Sequence, residues 1–414
     1  MSATQGAPGK TRAKHANLVY LLAALGTIGP FTIDTYLPAM HDIAATFGAS
    51  PLEVQQTLTS YLFMFSIMSL WHGAISDAIG RRKVIMAMFV LYILASLGCA
   101  FAPRIHDLWL LRGLQGFSAC AGVVVSRAIV RDVFSGAQAQ RLMSHIAMMF
   151  AIAPAVAPLI GGHLQNLFGW RSIFLFMFLL GVAVMAGCWK WLPETLPVER
   201  RRSLHPVHLA RAYWKVLTSL RFLTACGGMT FGFAGYFLYI MSAPMFLMRH
   251  LGVSETGFLW LFGPGMLGLL AGSWWSGRLA GKLSPQRTIL HGYRLIGIAV
   301  ACNLVLNLAA PPSLPWAVLP LFLYNFGNSL IMPSLTLLAL DHFPEQRGLA
   351  ASCQMFLQSM CNVVLTGVIA PLAWGSALSL SIGMACLASI SAACSWLYLG
   401  RGQKTEDRRQ RTEG

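Results

Sequence analysis

The chain has 414 residues, of which 56% are hydrophobic and only 11% are charged, and its formal net charge is +16. Soluble domains average about 25% charged residues. This composition, with a mean hydropathy of +0.62, therefore excludes a large soluble domain and indicates a polytopic protein of the lipid bilayer. The basic residues recur in short clusters between apolar runs rather than in one patch, which argues against nucleic acid as a partner.

The sequence contains twelve apolar runs, each long enough to cross a bilayer as an α-helix. They predict an all-α integral membrane protein. A polar stretch, 194–220, divides it into an N-terminal half of six helices, 18–193, and a C-terminal half of six helices, 221–400, with tails 1–17 and 401–414. The predicted spans are 18–40, 52–74, 83–102, 108–130, 142–164, 170–192, 222–247, 256–278, 287–309, 315–339, 347–370 and 375–399.

The basic residues also predict the orientation of the chain. Only Arg104, Arg171 and Arg249 fall in odd-numbered connections, and Arg112 lies within a span. The other Lys and Arg residues lie on or near the side that both termini share. Because cytoplasmic loops carry an excess of Lys and Arg, both termini and the 194–220 segment are predicted to be cytoplasmic.

Asp34 in span 1 is the only carboxylate deep in any predicted span. An ionisable group in hydrocarbon is expensive unless it is paired or solvated, so by default it marks a functional site. The alternative is a carboxylate that reaches headgroup water, since Asp34 lies close to Pro38 at the outer end of the span.

The connection between spans 2 and 3 reads GAISDAIGRRK over residues 73–83, which we call the signature loop. Its two glycines allow a tight turn at a membrane face, and its carboxylate and three cations must stay in water. Arg81 and Arg82 are predicted to reach Asp77 and the cytoplasmic end of span 4, which carries Asp132.

Arg112 enters span 4, which runs opposite to span 1, so Arg112 and Asp34 are predicted at similar depth and could pair. Such a pair can couple proton movement to transport, because burial favours the protonated carboxyl group and a nearby cation favours the ionised one. Arginine stays charged and would tune the site rather than carry the proton. The alternative is that Arg112 snorkels to the outer headgroups.

Span 5 carries Pro154 and Pro158, each of which removes a helical hydrogen bond and predicts a kink. Gly161 and Gly162 follow and allow close approach of another helix. The alternative is an ordinary packing kink.

Aromatic and amide side chains facing a central cavity would suit an amphipathic drug. Helical spacing alone leaves open which of them face the cavity and which face lipid. The candidates are Tyr36, Tyr61, Gln115, Tyr236, Tyr239, Asn325 and Asn328.

No nucleotide-binding loop of the GxxxxGK[ST] type is present, and no soluble segment is long enough for an ATPase domain. Energy is therefore expected from an ion gradient or from the substrate itself, with no cofactor. The nine cysteines lie in apolar segments without C-x-x-C pairs, so no metal site is expected.

The signature loop resembles the G-x-x-x-D-x-x-G-R-[RK]-[RK] motif of the major facilitator superfamily. The D-x-Y-L-P-A pattern at 34–39, Arg131-Asp132 and Pro193-Glu194-Thr195 resemble, in order and spacing, the twelve-span drug:proton antiporters of the Bcr/CflA subfamily. Span 5 is similar to their G-P-x-x-G-G motif, with Ala157 in place of the first glycine.

This resemblance implies two six-helix halves around a central cavity and proton-coupled efflux of bicyclomycin-like or phenicol-like antibiotics across the bacterial inner membrane. A monomer is expected, with proton coupling at Asp34 and Arg112. The resemblance also implies a conformational latch that holds the outward-facing state; the alternative for Asp132 is a solvated charge at a helix end. The latch residues are Gly73, Asp77, Gly80, Arg81, Arg82 and Asp132.

Two other functions stay open. A facilitator on the same fold could import or export an amino acid, a sugar or an organic acid, since a fold does not fix a function. An integral enzyme or receptor is the other alternative. An enzyme should show convergent His, Asp and Glu clusters, and none is evident in the sequence, so the chain is predicted not to be an enzyme.

Overall fold

The computed structural model describes residues 8–134, 136–201, 206–254, 257–279 and 282–413. Within these residues the regular secondary structure is helical and contains no β-strand, as the all-α prediction requires. The α-helices are α1 (Pro8–Asp34), α2 (Met40–Phe47), α3 (Pro51–Ile79), α4 (Arg81–Ala100), α5 (Ile105–Val133), α6 (Gly136–Phe168), α7 (Arg171–Trp191), α8 (Pro206–Leu217), α9 (Leu220–Met241), α10 (Leu259–Leu279), α11 (Pro285–Ala309), α12 (Leu319–Leu340), α13 (Arg347–Val364), α14 (Ala370–Ala373) and α15 (Ala377–Glu413).

Ten stretches of the described residues are long and apolar enough to cross a membrane, judged by length and composition. They contain α1 with α2, α3, α4, α5, α7, α9, α11, α12, α13 with α14, and the first part of α15. The other two long helices, α6 and α10, lie where spans 5 and 8 are predicted. The described residues thus supply a helix at each of the twelve predicted spans.

Three predicted spans, 1, 7 and 11, are not continuous α-helices; span 11 contains a π-helix, Leu365–Ile369, between α13 and α14. Helix α1 ends at Asp34, and a short 3₁₀ helix, Leu37–Ala39, precedes α2. Pro38 has no N–H to donate to the carbonyl group of Asp34, so the α-helical pattern cannot continue through it. Span 7 also changes its type of helix after α9. A π-helix, Pro244–His250, follows and begins with a proline.

Contacts divide the chain into two compact units, residues 1–204 and 205–414. In the first unit, α5 packs against α3 and α4, and α1 packs against α5 and α6. A Cβ atom on Gly116 of α5 would overlap the carbonyl oxygen of Tyr61 of α3, so these two helices touch through their backbones. Small residues allow such close approach between helices in a membrane.

In the second unit, α12 packs against α9, α10 and α11, and α9 packs against α15. Buried polar side chains join three of these helices. The Tyr239 hydroxyl accepts a hydrogen bond from Asn303 Nδ2 at 2.8 Å and shares another with Ser381 Oγ at 3.2 Å. This network links α9, α11 and α15 inside the unit.

Candidate functional site

Asp34 lies where α1 stops, at the start of the non-helical turn before Pro38. Its side chain is buried, with the residue only 4% exposed, so it does not reach solvent as the alternative interpretation required. Within the described residues its carboxylate forms no hydrogen bond and no ion pair. The predicted pairing with Arg112 is therefore absent from this structure.

Arg112 is fully buried, at 0% exposure, which excludes the snorkelling alternative here. Its guanidinium carbon lies 4.7 Å from the centre of the Tyr36 ring, 4.8 Å from that of Tyr61 and 5.9 Å from that of Phe174. A guanidinium group over aromatic faces is attracted by the ring quadrupoles, and the attraction is stronger when water is excluded. We call Arg112 with these three rings the aromatic cage.

The hydrogen bonds of Arg112 are incomplete. Nη1 donates to Gln115 Oε1 at 2.9 Å and to the carbonyl oxygen of Thr32 at 3.3 Å. Among the described residues, Nε and Nη2 are buried without a hydrogen-bond partner. Buried polar groups are nearly always hydrogen-bonded, so these two nitrogen atoms are the donors with which Arg112 can bind a further acceptor.

Hydroxyl groups hold the cage in place. The Tyr36 hydroxyl shares a hydrogen bond of 2.8 Å with Thr57 Oγ1, and Tyr61 donates to the carbonyl oxygen of Gly29 at 3.3 Å. Thr32, whose carbonyl group receives Arg112, shares a 2.7 Å hydrogen bond with the hydroxyl group of Tyr92. The sequence analysis missed Thr57 and Tyr92, because no motif marks them.

Span 5 meets span 1 beside Asp34. Helix α6 runs as one helix through Pro154 and Pro158. A Cβ atom on Gly161 would overlap the carbonyl oxygen of Thr35, the residue after Asp34, so the two backbones are in direct contact there. The adjacent Gly162 is also buried. Gly161 therefore sets the distance between α6 and the break in span 1.

The signature loop brings most of its predicted residues together around Arg81. Arg81 Nη1 lies 2.5 Å from Asp77 Oδ1 and donates to Ser76 Oγ at 2.6 Å, and Arg81 Nε donates to Asp132 Oδ2 at 3.0 Å. The Arg81 guanidinium is nearly buried. One arginine thus joins the end of α3 to the end of α5.

Two members of the signature loop differ from expectation. Arg82 does not contact Asp77 or Asp132; its Nη2 donates to the carbonyl oxygen of Trp189 at 2.9 Å, and its guanidinium lies over the Trp189 ring. Arg82 is the next residue on α4 and therefore points to a different neighbour, α7. A Cβ atom on Gly73 would meet only Val124, at an ordinary distance of 3.7 Å.

The candidate cavity residues of the second unit are all buried. Tyr239 already belongs to the network with Asn303, and the Tyr236 hydroxyl lies against Gly265 of α10. Asn325 Nδ2 and Asn328 Oδ1 are buried and have no hydrogen-bond partner in the described part of the chain. One donor and one acceptor, three residues apart on α12, are thus unused, and the assignment of these residues to a substrate cavity stays a prediction.

In the part of the chain that the structure describes, no three His, Cys, Asp or Glu side chains lie together as the ligands of a metal ion would. Two multi-helix units, built largely from helices long and apolar enough to cross a membrane, define the class as a polytopic membrane protein. Residues 19–366 match the profile of the Major Facilitator Superfamily, and the chain belongs to that family. Its membership of this family of transporters confirms the prediction that the chain is not an enzyme.

The chain is 33% identical to the uncharacterized MFS-type transporter YdgK of Bacillus subtilis, over 86% of this chain and 88% of the relative. It is 27% identical to the bicyclomycin resistance protein homolog of Haemophilus influenzae and 27% identical to multidrug resistance protein D of Escherichia coli. Each of these two alignments covers 94% of this chain and 97% of the relative.

A solved structure has the same fold. It is the inward-facing, occupied form of a bacterial homolog of the human lysosomal transporter Spinster, with a TM-score of 0.68 and 15% sequence identity. The match covers 94% of this chain and 97% of that one. Together with the family match, it confirms the predicted major facilitator fold.

Proposed function

We propose that this chain exports small amphipathic drugs, of the bicyclomycin or phenicol kind, across the bacterial inner membrane in exchange for protons. The observation that carries the proposal is the buried, unpartnered carboxylate of Asp34 at the break in span 1. Relatives named for bicyclomycin resistance and for multidrug resistance support a drug as the substrate.

Asp34 binds and releases the coupling proton. A carboxylate buried without a partner is stable while it carries a proton, because an unpaired charge in a low-dielectric site costs several kcal/mol. The ionised carboxylate needs water or a cation, and two nitrogen atoms of Arg112, Nε and Nη2, have no acceptor among the described residues. Opening the site to one side of the membrane supplies water, and the proton then leaves.

Arg112 keeps a fixed positive charge near the Asp34 segment. The three rings of the aromatic cage hold the guanidinium group in place without neutralising its charge. Gln115 orients the guanidinium from one side. On the other half, Asn325 and Asn328 offer one donor and one acceptor to a neutral, hydrogen-bonding drug. The protein acts as a monomer, and the proton gradient is its only energy source.

Both termini and the 194–220 segment lie in the cytoplasm, and the signature loop with Asp132 forms the conformational latch on the same side. The distribution of Lys and Arg supports this orientation. The latch biases a conformational equilibrium through Arg81 and does not bind the drug.

Two measurements test the proposal. An efflux-deficient bacterium that expresses the chain should tolerate more bicyclomycin or chloramphenicol than the same strain with an empty vector. Purified protein in proteoliposomes should move the drug uphill only when a proton gradient is imposed. Uptake of an amino acid, a sugar or an organic acid, with no drug transport, would favour the metabolite facilitator instead.

A further inference from the structure

The chain that leaves span 6 folds back onto the signature loop. Glu194 follows α7 closely, and its Oε1 accepts a hydrogen bond from the backbone N–H of Arg81 at 2.9 Å and another from that of Leu196 at 3.2 Å. Arg81 is the first residue of α4, and the first N–H groups of a helix have no partner within it. A carboxylate at this end is also favoured by the helix dipole.

Gly80 lies at the turn between α3 and α4, next to the Glu194 carboxylate. Gly80 has φ +117°, which L side chains rarely adopt. In addition, a Cβ atom there would lie 2.5 Å from Glu194 Oε2 and 3.0 Å from Arg201 Nη2. The backbone turn therefore favours glycine, and the absence of a side chain also leaves room for the Glu194 carboxylate.

The next residue reaches the opposite side of the same cluster. Thr195 Oγ1 donates to Asp132 Oδ2 at 3.2 Å. This oxygen is the one that accepts from Arg81 Nε at 3.0 Å. Two consecutive residues thus hold Arg81 from both sides: Glu194 binds its backbone, and Thr195 binds the carboxylate that receives its guanidinium group.

We propose that Glu194 and Thr195 are positioning residues of the latch, through which the start of the 194–220 segment fixes Arg81 on Asp77 and Asp132. The inference rests on the transport function proposed above. If these two contacts are lost, Arg81 keeps its charge but loses its fixed position, so the latch weakens without any change in the drug-binding residues.

Hydrogen–deuterium exchange at the Arg81 amide, in the full-length protein in nanodiscs, measures the first contact directly. Glu194→Ala should accelerate exchange at Arg81 about five- to tenfold, as expected for removal of a side-chain cap. In proteoliposomes the same variant should lower the maximal rate of drug export severalfold and leave the drug dissociation constant within about twofold of wild type. Thr195→Val should lower the export rate without changing exchange at Arg81.

Glu199→Ala is the matched control, because Glu199 is an exposed glutamate of the same segment; it should leave both quantities at wild-type values. Unchanged exchange in Glu194→Ala, or faster exchange with a wild-type export rate, would overturn the positioning role. A wild-type protein that exports no drug would refute the proposed function, and exchange at Arg81 would still decide whether Glu194 holds the loop.

Discussion

The guanidinium carbon of Arg112 lies 4.7 Å from the ring centre of Tyr36, two residues beyond Asp34. Arg112 and Asp34 are both buried, yet the arginine is held by aromatic rings and not by the carboxylate. The carboxylate is consequently free to exchange a proton without first breaking an ion pair. Tyr36 connects the two, because it belongs to the same turn as Asp34.

Two variants of Tyr36 separate the role of its aromatic ring from that of its hydroxyl group. Tyr36→Phe keeps the face that contacts Arg112 and loses the hydrogen bond to Thr57, so most of the proton-driven drug export should remain. Tyr36→Leu removes the ring and a cation–π contact worth about 0.5–2 kcal/mol, so export should fall by roughly 2- to 30-fold. Equal losses in both variants would assign the effect to the hydroxyl.

Variants of the latch should lose transport activity without a decrease in the amount of protein in the membrane. Arg81→Ala removes three contacts at once, and Asp77→Asn removes the shortest ion pair of the cluster. Both variants should insert normally and export drug several times more slowly, since they change a conformational equilibrium. Asp107→Asn is the control, because it removes only an ion pair with the exposed Arg104. Wild-type export in Arg81→Ala and Asp77→Asn would remove the latch role.

Gly161 should tolerate no side chain. In Gly161→Ala the new methyl group overlaps the carbonyl group of Thr35, and overpacking of this kind costs about 1–3 kcal/mol. The thermal midpoint of the purified protein should fall. Gly297→Ala in α11 is the matched control, because nothing lies within 4 Å of its new Cβ atom; its midpoint should be unchanged or slightly higher. Equal midpoints in the two variants would show that α6 and span 1 are not in contact at this point.

Topology can be read by cysteine labelling in a background without the nine native cysteines. Lys215→Cys, an exposed position on α8, should resist an impermeant maleimide added to intact cells and should react after the inner membrane is opened. Ser313→Cys, which is exposed between α11 and α12, should react in both cases. Labelling of Lys215→Cys from outside would reverse the proposed orientation.

The sequence predicts those parts of this protein whose length or charge a lipid bilayer constrains. Twelve apolar runs mark helices because a bilayer requires that length, and Asp34 and the signature loop stand out because charge is scarce around them. The break in span 1 could also have been predicted, since Pro38 cannot donate to the carbonyl group of Asp34.

The aromatic cage could not be predicted in the same way. Its rings come from Tyr36, Tyr61 and Phe174, in three different spans, and the chain has 10 tyrosines and 24 phenylalanines from which nothing in the sequence selects them. The possible pair of Asp34 with Arg112 is not formed in this structure, because similar depth fixes the height of two residues in the membrane but not the direction in which each side chain points.

The central claim is that Asp34 carries the coupling proton. The most direct measurement is uphill drug export driven by an imposed proton gradient, in proteoliposomes that contain wild type, Asp34→Asn or the control Asp107→Asn. The account predicts that Asp34→Asn still binds a neutral drug but neither exports it against a gradient nor releases protons on drug binding, while Asp107→Asn behaves as wild type. Proton-driven uphill export by Asp34→Asn would contradict the account and assign the proton to another group.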